Sequence, residues 1–405
     1  MVKPERRTRA DMVAAAVIVV VIAVVAALIW WTSDARATNS KPAAVPAPTP
    51  RSATEVPATL TQLWTAPSAA TTAPVVVGGT VVTGDARAVT GHDPASGEVR
   101  WSYARGTDLC AVSWVYRYAV AVYRDGRGCG QVSAIDGSTG QRGPARSSYA
   151  DKQVHVSSDG TTVLSVGDTR LELWRSDLVR MLSYGEIDAR VKPSSQGLHT
   201  GCTLTSAAAS SSAASVLEAC PGQADLRLTL LRPSKEEDEP EQRYVPEPGV
   251  GAGSGARVLA VSETSTLVYL PTPQPRVEVV DETGTTVSST LLPKQPWPAS
   301  AVSKPGNLVT WWTGDAVLVF DAATLSYRYT IEAAGPAVPL GPATIMAGRL
   351  LVPVTGGIGV YDPATGAGDR VLPVNRTPIP SPVIPAVLGS QIVEQRGDTV
   401  VALGG

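Results

Sequence analysis

Large aromatic and titratable side chains are scarce in this sequence. Of 405 residues, one is phenylalanine, three are histidine, four are cysteine, and 17% are charged. His92, His155 and His199 lie far apart, and none stands in H-x-x-x-H or H-E-x-x-H spacing, so no histidine-held catalytic metal is expected. Scattered in this way, they read as surface or turn residues. There is no G-x-S-x-G motif. The run Gly251-Ala252-Gly253-Ser254-Gly255 is followed by no helix and reads as a flexible loop, not a phosphate cradle. A net charge of −2 offers no basic surface for nucleic acid. Helical periodicity is almost absent outside one N-terminal stretch, which points to an all-β protein.

That stretch is Met12 to Trp31, twenty uncharged residues. At 1.5 Å per residue they span about 30 Å, the thickness of a bilayer's hydrocarbon core. Lys3, Arg6, Arg7 and Arg9 precede it, so the flank 1–11 is expected in the cytoplasm and the rest of the chain outside. A cleaved signal peptide with Ala35-Arg36-Ala37 as its processing site is the alternative. Residues 32–58 hold five prolines and read as an extended spacer, able to hold a domain up to roughly 60 Å from the membrane.

The exported part, 59–405, repeats one phrase. A short apolar run reaches a turn of the form D-x-x-[ST]-G, and the chain doubles back. Clear copies are Asp93 to Gly97, Asp136 to Gly140 and Asp362 to Gly366; weaker ones are Asp281 to Gly284 and Asp321 to Thr324. Copies recur 43, 40 and 41 residues apart, the period of a four-stranded propeller blade. The Asp side chains are read as acceptors for the amides of their own turns rather than as calcium ligands. The stretch around Thr59–Thr65 resembles an outer strand with no blade of its own, while the last repeat ends one strand short. Joining the two closes a ring of eight blades. Seven is the alternative, if the irregular fourth repeat is an insertion. That repeat holds a Ser/Ala run at 206–215, expected as a loop or a helical turn, and the acidic run Glu236 to Glu241, expected as a solvated loop.

All four cysteines lie in the exported part, where disulfides persist. Of three possible pairings, Cys110–Cys129 and Cys202–Cys220 keep each bond within one blade. A metal site is disfavoured because C-x-x-C spacing is absent. Trp297, in Lys294-Gln295-Pro296-Trp297-Pro298, is the tryptophan expected to be exposed for interaction.

The phrase Gly91-His92-Asp93-Pro94-Ala95-Ser96-Gly97-Glu98-Val99-Arg100-Trp101-Ser102-Tyr103 resembles the blade motif of quinoprotein-type, or PQQ-like, propellers. In that family the turn is followed by an aromatic, usually Trp, which packs between blades. Trp101 matches that place. At the same offset the other copies have Pro144, Tyr329 and Arg370, so only Tyr329 keeps an aromatic. Quinone-holding members of the family show adjacent cysteines, a calcium site and a catalytic Asp. No adjacent cysteines occur here, so neither cofactor nor catalytic residue is expected. Arginine outnumbers lysine 27 to 7, a bias of GC-rich coding that suggests an actinobacterial source. The function expected is non-enzymatic: an envelope scaffold with a protein partner, next to a membrane. The alternatives are a ligand or glycan sensor at the propeller mouth and a degenerate quinoprotein dehydrogenase.

Overall fold

The computed structural model describes residues 8–33, 36–186, 201–377 and 382–405. Most of the basic N-terminal flank, Ala35 of the processing site and His199 lie outside the described residues. The apolar run forms a helix, Arg9–Thr32, capped by Thr8 and exposed along its whole length. It is long and apolar enough to cross a membrane.

Everything else that is regular among the described residues is β-strand. Eight antiparallel sheets form eight blades: blade 1 at 75–104, then 109–147, 155–185, 203–251, 257–291, 301–331, 344–373, and blade 8 at 383–404. Blade 8 brings only three strands of its own. Its fourth is Thr61–Pro67, which pairs antiparallel with Thr399–Gly404. The ring therefore closes through the early strand, and Leu60 is buried beside it. Trp64 and His92 stack across the closure at 5.3 Å. The pairing of the early strand covers Thr399–Gly404, which would otherwise be the outer edge of blade 8.

The fourth repeat is a true blade, which decides eight over seven. Its Ser/Ala run is neither loop nor helical turn but a hairpin, Thr203–Ala209 paired with Ala214–Ala219. Small side chains suit this inner hairpin, because Ala214, Val216 and Leu217 are fully buried against neighbouring strands. The acidic run is not a free loop either. Asp238 is buried, Glu237 pairs with Arg180, and the Glu237 carbonyl accepts from Ser183 N at 2.6 Å. Local sequence showed the charges but not the arginine waiting in blade 3.

The proline-rich segment departs most from expectation. It is a strap on the propeller, not a free spacer. Asn39–Lys41 pairs with Val99–Ala104 as a fifth strand of blade 1. The amides of Ala43 and Ala47 donate to Thr139 O and Ser138 O, each at 2.8 Å, and Ala47 and Val56 are buried. Proline removes backbone donors and stiffens the chain, so such a segment can lie on a surface while needing few partners.

Candidate functional site

In an antiparallel blade, the first hairpin loop and the Asp turn lie at one end, and the middle loop and the link to the next blade lie at the other. The propeller thus has a turn face and an opposite face. On the turn face, Asp136 Oδ1 accepts from Ser138 N and Thr139 N, each at 3.0 Å, and from both hydroxyls. Asp93, Asp321 and Asp362 make the same pair of amide contacts, and Asp281 accepts from Thr283 N and Thr285 N. At Asp321 the Thr324 amide comes first among the donors that push the carboxyl down to about 2. These contacts are those of turn residues.

Each good turn also receives a knob from the preceding blade. Trp64 Nε1 donates to Pro94 O (3.0 Å), Trp101 Nε1 to Gly137 O (2.7 Å) and the Tyr329 hydroxyl to Pro363 O (2.6 Å). The turn glycine is needed twice over. Gly97, Gly140 and Gly366 have φ of 75°, 71° and 74°, where a side chain is strained. A Cβ on them would also lie 2.6, 2.4 and 2.5 Å from Trp64, Trp101 and Tyr329. Where the aromatic is missing, arginine takes over in two places. Arg146 reaches Leu178 O at 3.0 Å, and Arg370 reaches Val56 O of the strap at 3.3 Å. Gly284 faces the side chains of Arg243 and Val245 rather than an aromatic.

Charged hubs, which the sequence reading missed, reinforce the seams. Glu172 is held by Arg146, Arg170, Arg180 and Trp174 Nε1. Burial alone would raise its pKa, but Arg146 and Arg170 hold it below the ordinary carboxylate value. Glu394 is fully buried between Arg376 and Arg396. His92 is not a surface residue. It is buried, bonded to Thr83 Oγ1 and Gly97 O at 3.0 Å each, and burial lowers its pKa. Alternating arginine and glutamate along single strands, as in Arg170-Leu171-Glu172, was the available signal.

Both expected disulfides are present, Cys110–Cys129 and Cys202–Cys220. Each ties the start of an inner strand to the middle hairpin of its blade, on the opposite face. Cys202, Cys220 and Glu218 lie close enough together to suggest a metal. However, the sulfurs are bonded to each other, and Glu218 already accepts from Tyr184, Arg227 and Thr229. Two small cavities, one between blades 4 and 5 and one beside blade 3, have volumes of about 20 and 10 Å³, each room for a water. At the channel mouth on the turn face, Lys304 Nζ reaches Ala209 O of blade 4 (3.1 Å) and Val261 O of blade 5 (3.5 Å). Its surface touches solvent, yet protein surrounds it, which lowers its pKa.

Trp297 lies on the opposite face and is 56% exposed. It is held firmly. Its amide donates to Thr313 O (2.7 Å), its ring meets Trp312 edge-on at 5.9 Å, and Gly314 leaves the space it occupies. Lys294 and Asp315 pair across the base of the loop.

No protein-family model and no curated protein matches the sequence. Solved structures do share the fold. BamB from Moraxella catarrhalis superposes with a TM-score of 0.50 at 15% identity, over 85% of this chain and 100% of that one. The computationally designed Ika8 protein gives 0.55 at 15% identity, over 85% and 98%. The C-terminal WD40 domain of Sif2 gives 0.50 at 10% identity, over 86% and 98%. At such identities the likeness shows a β-propeller and no more. The apolar helix and the two disulfides together suggest an extracytoplasmic location.

Proposed function

We propose that this chain is a single-pass membrane protein whose PQQ-like propeller stands outside the cytoplasm as a non-enzymatic docking scaffold for an envelope protein. The observation that carries this reading is Trp297, an exposed tryptophan already locked in place. A large aromatic that loses little freedom on binding is the usual anchor of a protein interface. A glycan or ligand sensor at the mouth is the second reading, because Lys304 places a cation there. The resemblance of Gly91–Tyr103 to the quinoprotein motif supports the family reading. A degenerate dehydrogenase would reveal itself by a quinone spectrum in protein mixed with quinone and Ca²⁺.

Cross-linking pull-downs from native membranes test the scaffold. Trp297→Ala removes the edge-on contact with Trp312 and should lower the melting temperature modestly, yet leave the protein folded at the assay temperature and lose the cross-linked partner. Retention of the same partner by the variant would remove Trp297 from the interface.

A further inference from the structure

Strand addition is already used once in this chain. Asn39–Lys41 completes the outer edge of blade 1, making a four-stranded sheet five-stranded. An outer edge here thus accepts an extended segment through its backbone. Most other outer strands carry the charges and prolines that keep edges from pairing with foreign strands. Arg142–Ser147, Glu241–Gly251 and Gly368–Pro373 have both, Tyr327–Ile331 has an arginine, and Thr61–Pro67 ends in proline. Arg180–Gly185 has its arginine and is covered, since Ser183 N donates to Glu237 O.

Thr286–Leu291, the outer strand of blade 5, has neither charge nor proline. It is exposed almost throughout, with Val287 at 57% and Leu291 at 63%. Ser288 stands where blades 1 and 6 carry Trp101 and Tyr329, so no aromatic knob fills the rim here. Leu292 N donates inward to Pro275 O at 2.8 Å. Alternation along an antiparallel ladder then turns the backbone groups of Leu291 and Ser289 outward. The strand runs directly into the loop that holds Trp297.

Position identifies the partner's side. Six residues separate the helix end at Thr32 from Asn39 on blade 1, and at full extension they span about 20 Å. In a ring of eight, blade 5 is opposite blade 1. An anchored chain therefore holds blade 1 within reach of the membrane and leaves the edge of blade 5 on the far side of the ring from the tether. We propose that the outer edge of blade 5 is a strand-addition site for an extended, uncharged segment, rich in β-branched and apolar residues, of a protein lying farther from the membrane. This rests on the scaffold reading and names its docking edge.

The test uses the full chain in native membranes with photo-reactive benzoylphenylalanine at position 289, 291 or 297, and at 371 on the charged edge of blade 7 as control. Positions 289 and 291 should label one protein, at sites that run in reverse order along a single segment of it. Ser289→Pro removes an outward amide and should abolish the adduct from position 291 at an unchanged melting temperature; Val287→Lys should do the same without touching the ladder. Adducts scattered over the partner, found only with a second copy, or indifferent to both substitutions would overturn the assignment. Silence at 289 and 291 with labelling from 297 would remove the edge and leave the scaffold. Silence at all three would remove both.

Discussion

Asp136 and Asp362 occupy the same place in their motifs, yet they should not matter equally. Asp136 is buried, takes two amides and two hydroxyls, and pairs with Arg117. Asp362 is only half-buried and has Arg349 no nearer than 3.8 Å. We expect Asp136→Ala to cost about 1.5–3 kcal/mol, the range for hydrogen bonds to a charged group, and Asp362→Ala distinctly less, by urea denaturation. Glu247 makes a second case. It is buried, and its pKa is pushed up to about 7, first by burial and then by Glu278, with Arg276 opposing. The unfolded chain releases this proton near the ordinary value of 4.5. Between these values the folded state holds more protons, so stability should fall as pH rises from 4.5 through 7. Glu247→Gln should flatten that decline and raise the melting temperature above pH 7. An unchanged profile would mean that the carboxyl ionises freely in the fold.

At the scale of elements, the first strand and the strap can be compared directly. Deleting 61–67 removes the fourth strand of blade 8 and the knob Trp64, and it exposes Thr399–Gly404 as an edge. Within the strand only Trp64 and Ala66 are half-buried, so the cost comes from the lost ladder, the lost Trp64 contacts and the uncovering of Thr399–Gly404, whose side chains are nearly all buried. Deleting 43–49 should also destabilise, though less, because it breaks two backbone hydrogen bonds and uncovers the place of Ala47. From sequence alone the second deletion looks neutral, since prolines and small residues promise few contacts. Thermal melts of both deletions in the exported domain decide: a neutral second deletion would make the strap a passenger.

Two properties belong to the whole molecule. A reporter fused after Gly405 should be active only if it works outside the cytoplasm, and a cytoplasm-only reporter active there would reverse the topology. The disulfides close loops of 19 and 18 residues, each worth about 3 kcal/mol by the loop-entropy model. Reductant should therefore lower the melting temperature of the exported domain. Equal melts with and without reductant would mean that the bonds add nothing to a ring already closed by strand pairing.

The sequence by itself determined the blade. The aspartate, the glycine and the apolar runs act over a few residues, through a turn's own amides and the alternation of a strand, so their spacing alone yielded the period, the ring and its closing strand. Cysteine spacing yielded the disulfides for the same reason, since each bond stays within one blade. Only the tertiary structure decided what each turn meets. Trp64 faces Pro94 and Gly97 because the ring brings the first strand beside blade 1; Glu237 finds Arg180 across a seam; and the strap finds Ser138 and Thr139, nearly one hundred residues away. The exposed edge of blade 5 was hidden for the same cause. Thr-Val-Ser-Ser-Thr-Leu is an ordinary strand until the ring shows that nothing among the described residues covers it. Contacts between blades depend on surfaces that exist only once the disc has closed, and no local pattern encodes them.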